Sequence, residues 1–123
     1  MIFETHAHYD DEKFDSDRVE LLSSLREHNV DKVINVGASI EGSRASMKLS
    51  EDFDFIYAAI GVHPEDLYGI TEEDMAFLKE NAKKDKVVAI GEIGLDYYWE
   101  KDEGKRENQR YWFKRQLEVS QLV

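Results

Sequence analysis

The chain has 123 residues, of which 41% are hydrophobic, and a formal net charge of −11 from 16 Lys and Arg against 27 Asp and Glu. This length and apolar content suit one folded domain over residues 1–123 and argue against disorder, while the acidity argues against a broad basic face for coating nucleic acid. The absence of cysteine excludes disulfides and thiolate metal sites, and without a signal-like start or a run of about 18 apolar residues we expect no membrane span and a cytoplasmic location.

Four short apolar runs predict β-strands, and none alternates long enough to indicate a sheet with one solvated face. The predicted strands are Met1–Thr5, Lys32–Val36, Phe55–Ile60 and Val87–Ile90. Amphipathic stretches between and after them predict helices over Phe14–His28, Ile40–Glu51, Thr71–Lys84 and Gly104–Leu122. The order is therefore βαβαβαβα, which is typical of a parallel sheet with crossover helices.

Local signals support these helices. Asp15 or Ser16 is the expected N-cap of the first one, whose Val19, Leu22 and Leu25 form an apolar stripe. The third opens close to a capping box, Thr71-Glu72-Glu73-Asp74, followed by apolar Met75, Leu78 and Ala82. The apolar residues of the last helix are Trp112, Phe113, Leu117 and Val119.

Each predicted strand is followed by polar or glycine residues that suit a functional site. In a (β/α)8 barrel, which typically has about 250 residues, the active site lies at the C-terminal ends of the strands. Four βα units predict the α/β class and a (βα)4 half of such a TIM barrel. Because Gln116–Val123 continues the last helix without a stop signal, we expect a fragment whose C-terminal half is absent.

The strand ends carry three candidate site segments. His6-Ala7-His8 follows the first strand, and residues two apart in a strand share one face, so both imidazoles can hold one divalent metal. The alternative is two surface histidines at a frayed terminus. Gly61-Val62-His63-Pro64 follows the third strand, and Gly91-Glu92-Ile93-Gly94-Leu95-Asp96-Tyr97-Tyr98 follows the fourth. Proline restricts His63 to extended geometry, which favours an aimed imidazole.

These segments, together with Gln109, Phe113, Gln116 and Leu117, resemble the TatD family of metal-dependent deoxyribonucleases over the first half of a family member. The resemblance implies two divalent metal ions (Mg, Mn or Zn), with His6 and His8 as ligands of one ion. It implies that Glu92 bridges or completes the site and that His63 contacts the substrate phosphate. Two further histidines and an aspartate would come from the second half. Glu4 departs from the family's more usual Asp.

Several of these residues have an alternative structural role. Glu92 is alternatively a capping carboxylate at a helix start. Histidine ligands need an acceptor for their second ring nitrogen, for which Asp96, Asp10 and Asp11 are candidates. The alternative for all three is a solvated loop residue, which we expect for Asp10 and Asp11. The aromatic run Tyr97-Tyr98-Trp99 is equally suited to stacking on a base or to packing a loop. The cations of the last segment are expected to form a solvated helix face: Lys101, Lys105, Arg106, Arg110, Lys114 and Arg115.

Three hypotheses for function follow. The first is a fragment of a deoxyribonuclease that hydrolyses DNA phosphodiester bonds through a metal-activated water, with the fragment itself weakly active or inactive. The second is a metallohydrolase of the same barrel type acting on a small ester, lactone or amide. The third is a non-catalytic half-barrel that needs a partner chain. In every case the unpaired edges at the first and fourth strands predict dimerisation or domain swapping.

Overall fold

Four parallel strands form one sheet in the computed structural model, which describes residues 1–123. The strands are β1 (Ile2–Ala7), β2 (Val30–Val36), β3 (Ile56–Ile60) and β4 (Val87–Ile90). They lie side by side in sequence order, β1-β2-β3-β4. The predicted parallel sheet is confirmed. All their C-terminal ends therefore lie along one edge of the sheet, which brings distant segments of the sequence together.

Four α-helices alternate with the strands and confirm the predicted βα order. They are α1 (Arg18–Ser24), α2 (Ile40–Asp52), α3 (Glu72–Asn81) and α4 (Glu103–Gln121). Short 3-10 turns cover Glu12–Phe14, Leu25–His28 and Pro64–Asp66. None of the helices combines the length and the apolar composition that crossing a membrane requires.

The predicted continuous helix over 14–28 is wrong. A 3-10 turn, α1 and a second 3-10 turn occupy this region, and Asp17 precedes α1 without a side-chain capping bond, so neither Asp15 nor Ser16 is the N-cap. Arg18 explains the break: its guanidinium donates to the carbonyls of Tyr9 and Asp11 and to the carboxylate of Asp15, which folds the preceding loop back on α1. Those contacts are invisible to helical periodicity.

Two apolar clusters form the core. One contains β3 residues together with Met75 and Leu78 of α3 and Trp112 and Val119 of α4. The other packs Leu22 and Leu25 against β2 and β3. Val19, expected on the same stripe, is exposed, as is Leu117. The predicted capping signal at α3 is confirmed, because the Thr71 N–H donates to Asp74 Oδ2 at 2.9 Å.

Burial differs between the inner and edge strands. β3 is almost wholly buried, as the apolar run predicts. On the edge strands, by contrast, Phe3 is 53% exposed and Val88 is 48% exposed. The expectation that all four strands are covered on both faces is therefore wrong for β1 and β4, because each of them has a neighbouring strand on one side only.

Candidate metal centre

The ends of the two edge strands bring His6, His8 and Glu92 together. One ring nitrogen of each histidine and one carboxylate oxygen of Glu92 lie within 4.8 Å of one another. The two Nε2 atoms are 3.2 Å apart, and Glu92 Oε2 lies 3.6 Å from His6 Nε2 and 3.8 Å from His8 Nε2. The predicted pairing of the imidazoles on one strand face is confirmed. β1 is longer than expected, so His6 lies within it and His8 directly follows it.

A backbone carbonyl fixes the orientation of His8. Its Nδ1 lies 2.9 Å from the carbonyl oxygen of Val36, at the end of β2. A carbonyl can only accept, so Nδ1 carries the proton and Nε2 of the neutral ring presents a free lone pair. This is the arrangement that a metal-ligating histidine needs, with its second nitrogen held by an oxygen acceptor.

The spacing of these atoms fits a divalent ion. Two nitrogens bound at about 2.0–2.1 Å to one tetrahedral ion lie roughly 3.3 Å apart, and the two Nε2 atoms are 3.2 Å apart. The spacing therefore allows His6 and His8 to bind the same ion, and Glu92 Oε2, at 3.6 and 3.8 Å from the two nitrogens, lies close enough to join them. Nitrogen and carboxylate ligands of this kind suit Zn²⁺ and Mn²⁺.

Glu92 lies in the loop after β4 rather than at the start of a helix. The alternative role of Glu92 as a helix cap is therefore wrong. Its N–H donates to the carbonyl of Gly37 at 2.8 Å, which ties the loop to the end of β2. The Gly91–Glu92 peptide bond is cis. Each oxygen of the carboxylate has a different histidine neighbour: Oε2 faces the pair of His6 and His8, and Oε1 lies 3.8 Å from His63 Nε2.

His63 presents a donor toward the same place. Its Nδ1 accepts a hydrogen bond from the Glu65 N–H at 3.0 Å, at the start of the turn Pro64–Asp66. In the neutral ring the proton is therefore on Nε2, which faces Glu92 Oε1. A protonated Nε2 is a hydrogen-bond donor and not a metal ligand, so the ring chemistry of His63 differs from that of His8.

Asp96 lies near these groups in sequence but has another role. Its carboxylate accepts from the N–H groups of Tyr98 and Trp99, and the bond from Trp99 is the main cause that lowers its pKa. A hydrogen bond with Asp96 raises the pKa of the neighbouring Glu65 carboxyl. The turn at 96–99 uses Oδ1 of Asp96, and the carbonyl of Val36, not Asp96, is the acceptor for the second ring nitrogen of His8.

Asp10 and Asp11 are also engaged within the chain. Asp10 Oδ1 accepts from the side-chain amide of Asn35 at 2.9 Å, and Asp11 accepts from the Lys13 N–H. Asn35 is fully buried on β2, and its Oδ1 also accepts from the Tyr9 N–H at 2.7 Å. The expectation of solvated loop residues is wrong for Asp10, whose partner holds the chain that follows His8.

The aromatic run divides into two environments. Tyr97 is covered by the Arg106 guanidinium and shares a hydrogen bond with Arg110. Tyr98 and Trp99 are each 73% exposed and contact each other edge to face. Base stacking by this exposed pair stays a prediction.

The cations of the last segment mostly contact the chain itself. Arg110 pairs with Glu103, and Arg115 pairs with Glu72 on α3 and with Glu118. Arg106 donates to backbone carbonyls. These contacts match the expected helix face of alternating charges rather than a track for phosphates.

Gln109 and Gln116 of α4, which the family resemblance named without a role, are buried. Gln116 makes two hydrogen bonds with the backbone of Val62, and Gln109 makes two with the backbone of Asp96. Val62 belongs to the loop after β3, which carries His63, and Asp96 belongs to the loop after β4, which carries Glu92. The available signal was the seven-residue spacing, which places both amides on one helix face.

Comparison with known proteins identifies the family. The family model described as TatD related DNase matches residues 3–123. The chain belongs to this family. Among curated TatD relatives, the uncharacterized metal-dependent hydrolase YabD of Bacillus subtilis is 41% identical over 123 residues, which are all of this chain and 48% of YabD. The 3'-5' ssDNA/RNA exonuclease TatD of Cronobacter turicensis is 35% identical over 85 residues, or 69% of this chain and 32% of that protein.

Solved TatD structures confirm the fold. The crystal structure of the TatD homologue YjjV from Escherichia coli K12 matches with a TM-score of 0.82 and 30% identity, covering 96% of this chain and 46% of YjjV. A TatD family hydrolase from Entamoeba histolytica, at 21% identity, matches with a TM-score of 0.77 and shows the fold alone. The chain spans about half the length of these relatives. The predicted (βα)4 half of a TIM barrel is therefore confirmed.

Proposed function

We propose that this chain contributes the first half of the active site of a metal-dependent nuclease that hydrolyses DNA phosphodiester bonds. The observation that carries the proposal is the convergence of His6, His8 and Glu92, with donor atoms within 4.8 Å of one another. Family membership supports the same chemistry. The proposal extends to a cytoplasmic enzyme, which stays a prediction.

Each residue has a proposed role that its contacts support. His6 and His8 hold one divalent ion through their Nε2 atoms. Glu92 would complete that site through Oε2 or, with its other oxygen, help to hold a second ion. Bound divalent ions would supply activation of a water and stabilisation of the charge that develops on the phosphodiester oxygens. His63 is proposed to donate a hydrogen bond from its Nε2–H to a phosphate oxygen of the substrate, a catalytic role consistent with the bond that occupies Nδ1.

The proposed metals are two divalent ions, Mg²⁺, Mn²⁺ or Zn²⁺. A site with two imidazoles favours Mn²⁺ or Zn²⁺, because Mg²⁺ prefers oxygen ligands and keeps its waters. The proposed substrate is DNA, in keeping with the name of the Cronobacter relative, a 3'-5' ssDNA/RNA exonuclease. With a net charge of −11, the contact with DNA is proposed to be small and centred on the ions.

A substrate screen separates the two enzymatic hypotheses. A longer protein containing this chain and the remaining βα units is incubated with single-stranded DNA and, separately, with small esters, lactones and amides, with Mn²⁺ or with EDTA. Chelator-sensitive cleavage of DNA supports the proposal. Turnover of a lactone, ester or amide without DNA cleavage favours a metallohydrolase of the same barrel type instead.

Glu92→Gln in that longer protein is expected to reduce the rate of DNA cleavage on the order of 100-fold. Gln keeps the shape but removes the charge that holds two cations together, and a misplacement of about 1 Å can cost that much in rate. The free energy of unfolding should change by less than about 0.5 kcal/mol, because Glu92 is half-buried at a strand end and packs in neither core cluster. Rates and urea unfolding curves measure the two effects.

The matched control for Glu92→Gln is Glu107→Gln, which removes the same charge from an exposed position of α4. The control should cleave DNA at the rate of the unmodified protein. A Glu92→Gln variant with an unchanged rate, or one that unfolds, would remove Glu92 from the mechanism.

The 123-residue chain by itself is expected to self-associate through its sheet edges. β1 and β4 each lack one neighbouring strand and expose Phe3 and Val88. Sedimentation across a concentration series should give masses above the 14.4 kDa of one chain. Phe3→Glu with Val88→Glu should shift the chain toward the monomer, whereas Tyr68→Glu, at an exposed loop residue away from the edges, should not. A monomer at all concentrations would contradict this expectation.

A further inference from the structure

Two buried side chains from different helices hold consecutive peptide units at the end of β3. Ser43 of α2 accepts from the Gly61 N–H at 3.0 Å and donates to the Gly61 carbonyl at 3.1 Å. Gln116 of α4 accepts from the Val62 N–H at 2.8 Å and donates to the Val62 carbonyl at 3.1 Å. Ser43 and Gln116 are 0% and 1% exposed, and we call this pair the polar bracket.

The polar bracket replaces strand pairing where the sheet ends. β3 ends at Ile60, one residue before the bracketed segment. The peptide groups of Gly61 and Val62 are buried, and buried N–H and C=O groups need partners. A buried glutamine is itself costly unless its amide is bonded on both sides, and Gln116 meets that condition only through Val62.

The bracketed segment, Gly61–Val62, is connected to two residues of the candidate site, His63 and Glu92. His63 follows Val62 directly, and its N–H donates to the carbonyl of Ala38 at 2.8 Å. Gly61 packs so closely on the end of β4 that a Cβ there would lie 2.9 Å from the carbonyl carbon of Gly91. Gly91 immediately precedes Glu92. A shift of the bracketed segment therefore moves the His63 imidazole and the base of the Glu92 loop together.

We infer that Gln116 and Ser43 are positioning residues of the metal centre, acting through the Gly61–Val62 backbone on Glu92 and His63. This inference rests on the proposed metal site. Neither side chain touches a metal or substrate. Their contribution is to hold the Glu92 carboxylate at the distance from His6 and His8 that an ion requires. Partners that orient metal ligands in this indirect way affect affinity by about 10- to 100-fold.

The test compares metal binding by Gln116→Met with that of a control that also disturbs the core beside α4. Gln116→Met removes both hydrogen bonds at similar volume. Val119→Ala truncates a buried side chain of the same helix, 3% exposed and in the core cluster that includes Val62, but removes no hydrogen bond. Gln121→Met repeats the chemical change at an exposed position. Mn²⁺ affinity is measured by calorimetry, and the visible spectrum of bound Co²⁺ reports ligand geometry, at a temperature where every variant is folded.

Gln116→Met is expected to weaken Mn²⁺ binding about 10-fold and to alter the Co²⁺ spectrum. Val119→Ala and Gln121→Met should match the unmodified chain in both. If Gln116→Met does not fold, Ser43→Ala, which removes only a hydroxyl from the polar bracket, carries the same comparison. Binding unchanged in the bracket variants, or weakened equally in Val119→Ala, would overturn the positioning role alone. An unmodified chain that binds neither ion would overturn the proposed metal site as well.

Discussion

Replacing His6 and His8 together by alanine is expected to weaken Mn²⁺ and Zn²⁺ binding by at least about 100-fold, more than the loss of an outer partner. The double variant keeps only the Glu92 carboxylate of the three converging groups. A single half-buried carboxylate competes poorly with water for a divalent ion. Calorimetry of the unmodified chain and the variant measures the difference directly.

The single variants and a matched control sharpen this experiment. His8→Ala should lose more affinity than His6→Ala, because the carbonyl of Val36 orients the ring of His8 in advance. His28→Ala removes an exposed imidazole at the end of a turn far along the chain and should bind as the unmodified chain does. Equal affinity in the double variant and the unmodified chain would show that this histidine pair is not a metal site.

The strand order and the histidine pair could be predicted because both depend on local periodicity. Apolar runs separated by helical stripes predict parallel strands, and a two-residue spacing puts His6 and His8 on one face. Their Nε2 atoms lie 3.2 Å apart, which is consistent with a shared face. The presence of Glu92 beside them follows from no periodicity. It came from the resemblance of its segment to a family, and the fold places it across the sheet from β1.

The failures arise from side-chain contacts and strand positions that helical and strand periodicity do not record. The helix predicted over 14–28 is interrupted because Arg18 binds the loop before it. Phe3 and Val88 resemble buried strand residues, yet they are exposed because their strands have one neighbour each. Gln116 resembles a surface residue of an amphipathic helix, yet it is buried because the Val62 backbone satisfies its amide.

The 123 residues alone are expected to be a poor catalyst. We expect this chain to cleave single-stranded DNA at a rate at least about 100-fold below that of a longer protein, since misplacement of about 1 Å already costs that factor. His6, His8 and Glu92 are three proposed ligand groups, and a two-metal site would need more to hold both ions in fixed geometry. His6 and His8 also lie at the end of an edge strand that has one neighbour only.

A suitable longer protein is a chimaera in which this chain replaces the matching 48% of Bacillus subtilis YabD. Both proteins are assayed with Mg²⁺ or Mn²⁺, with EDTA, and as their His6→Ala/His8→Ala variants, which separate site-dependent cleavage from contaminating nuclease. Dimerisation supplies second copies of the same three ligand groups but no new ones, so self-association should not restore the rate. Comparable chelator-sensitive rates in the chain and the chimaera would show that four βα units suffice for catalysis. The expected result is that the chain binds metal but does not cleave DNA, whereas the chimaera does. This result is expected because His6, His8 and Glu92 already converge in the 123-residue chain.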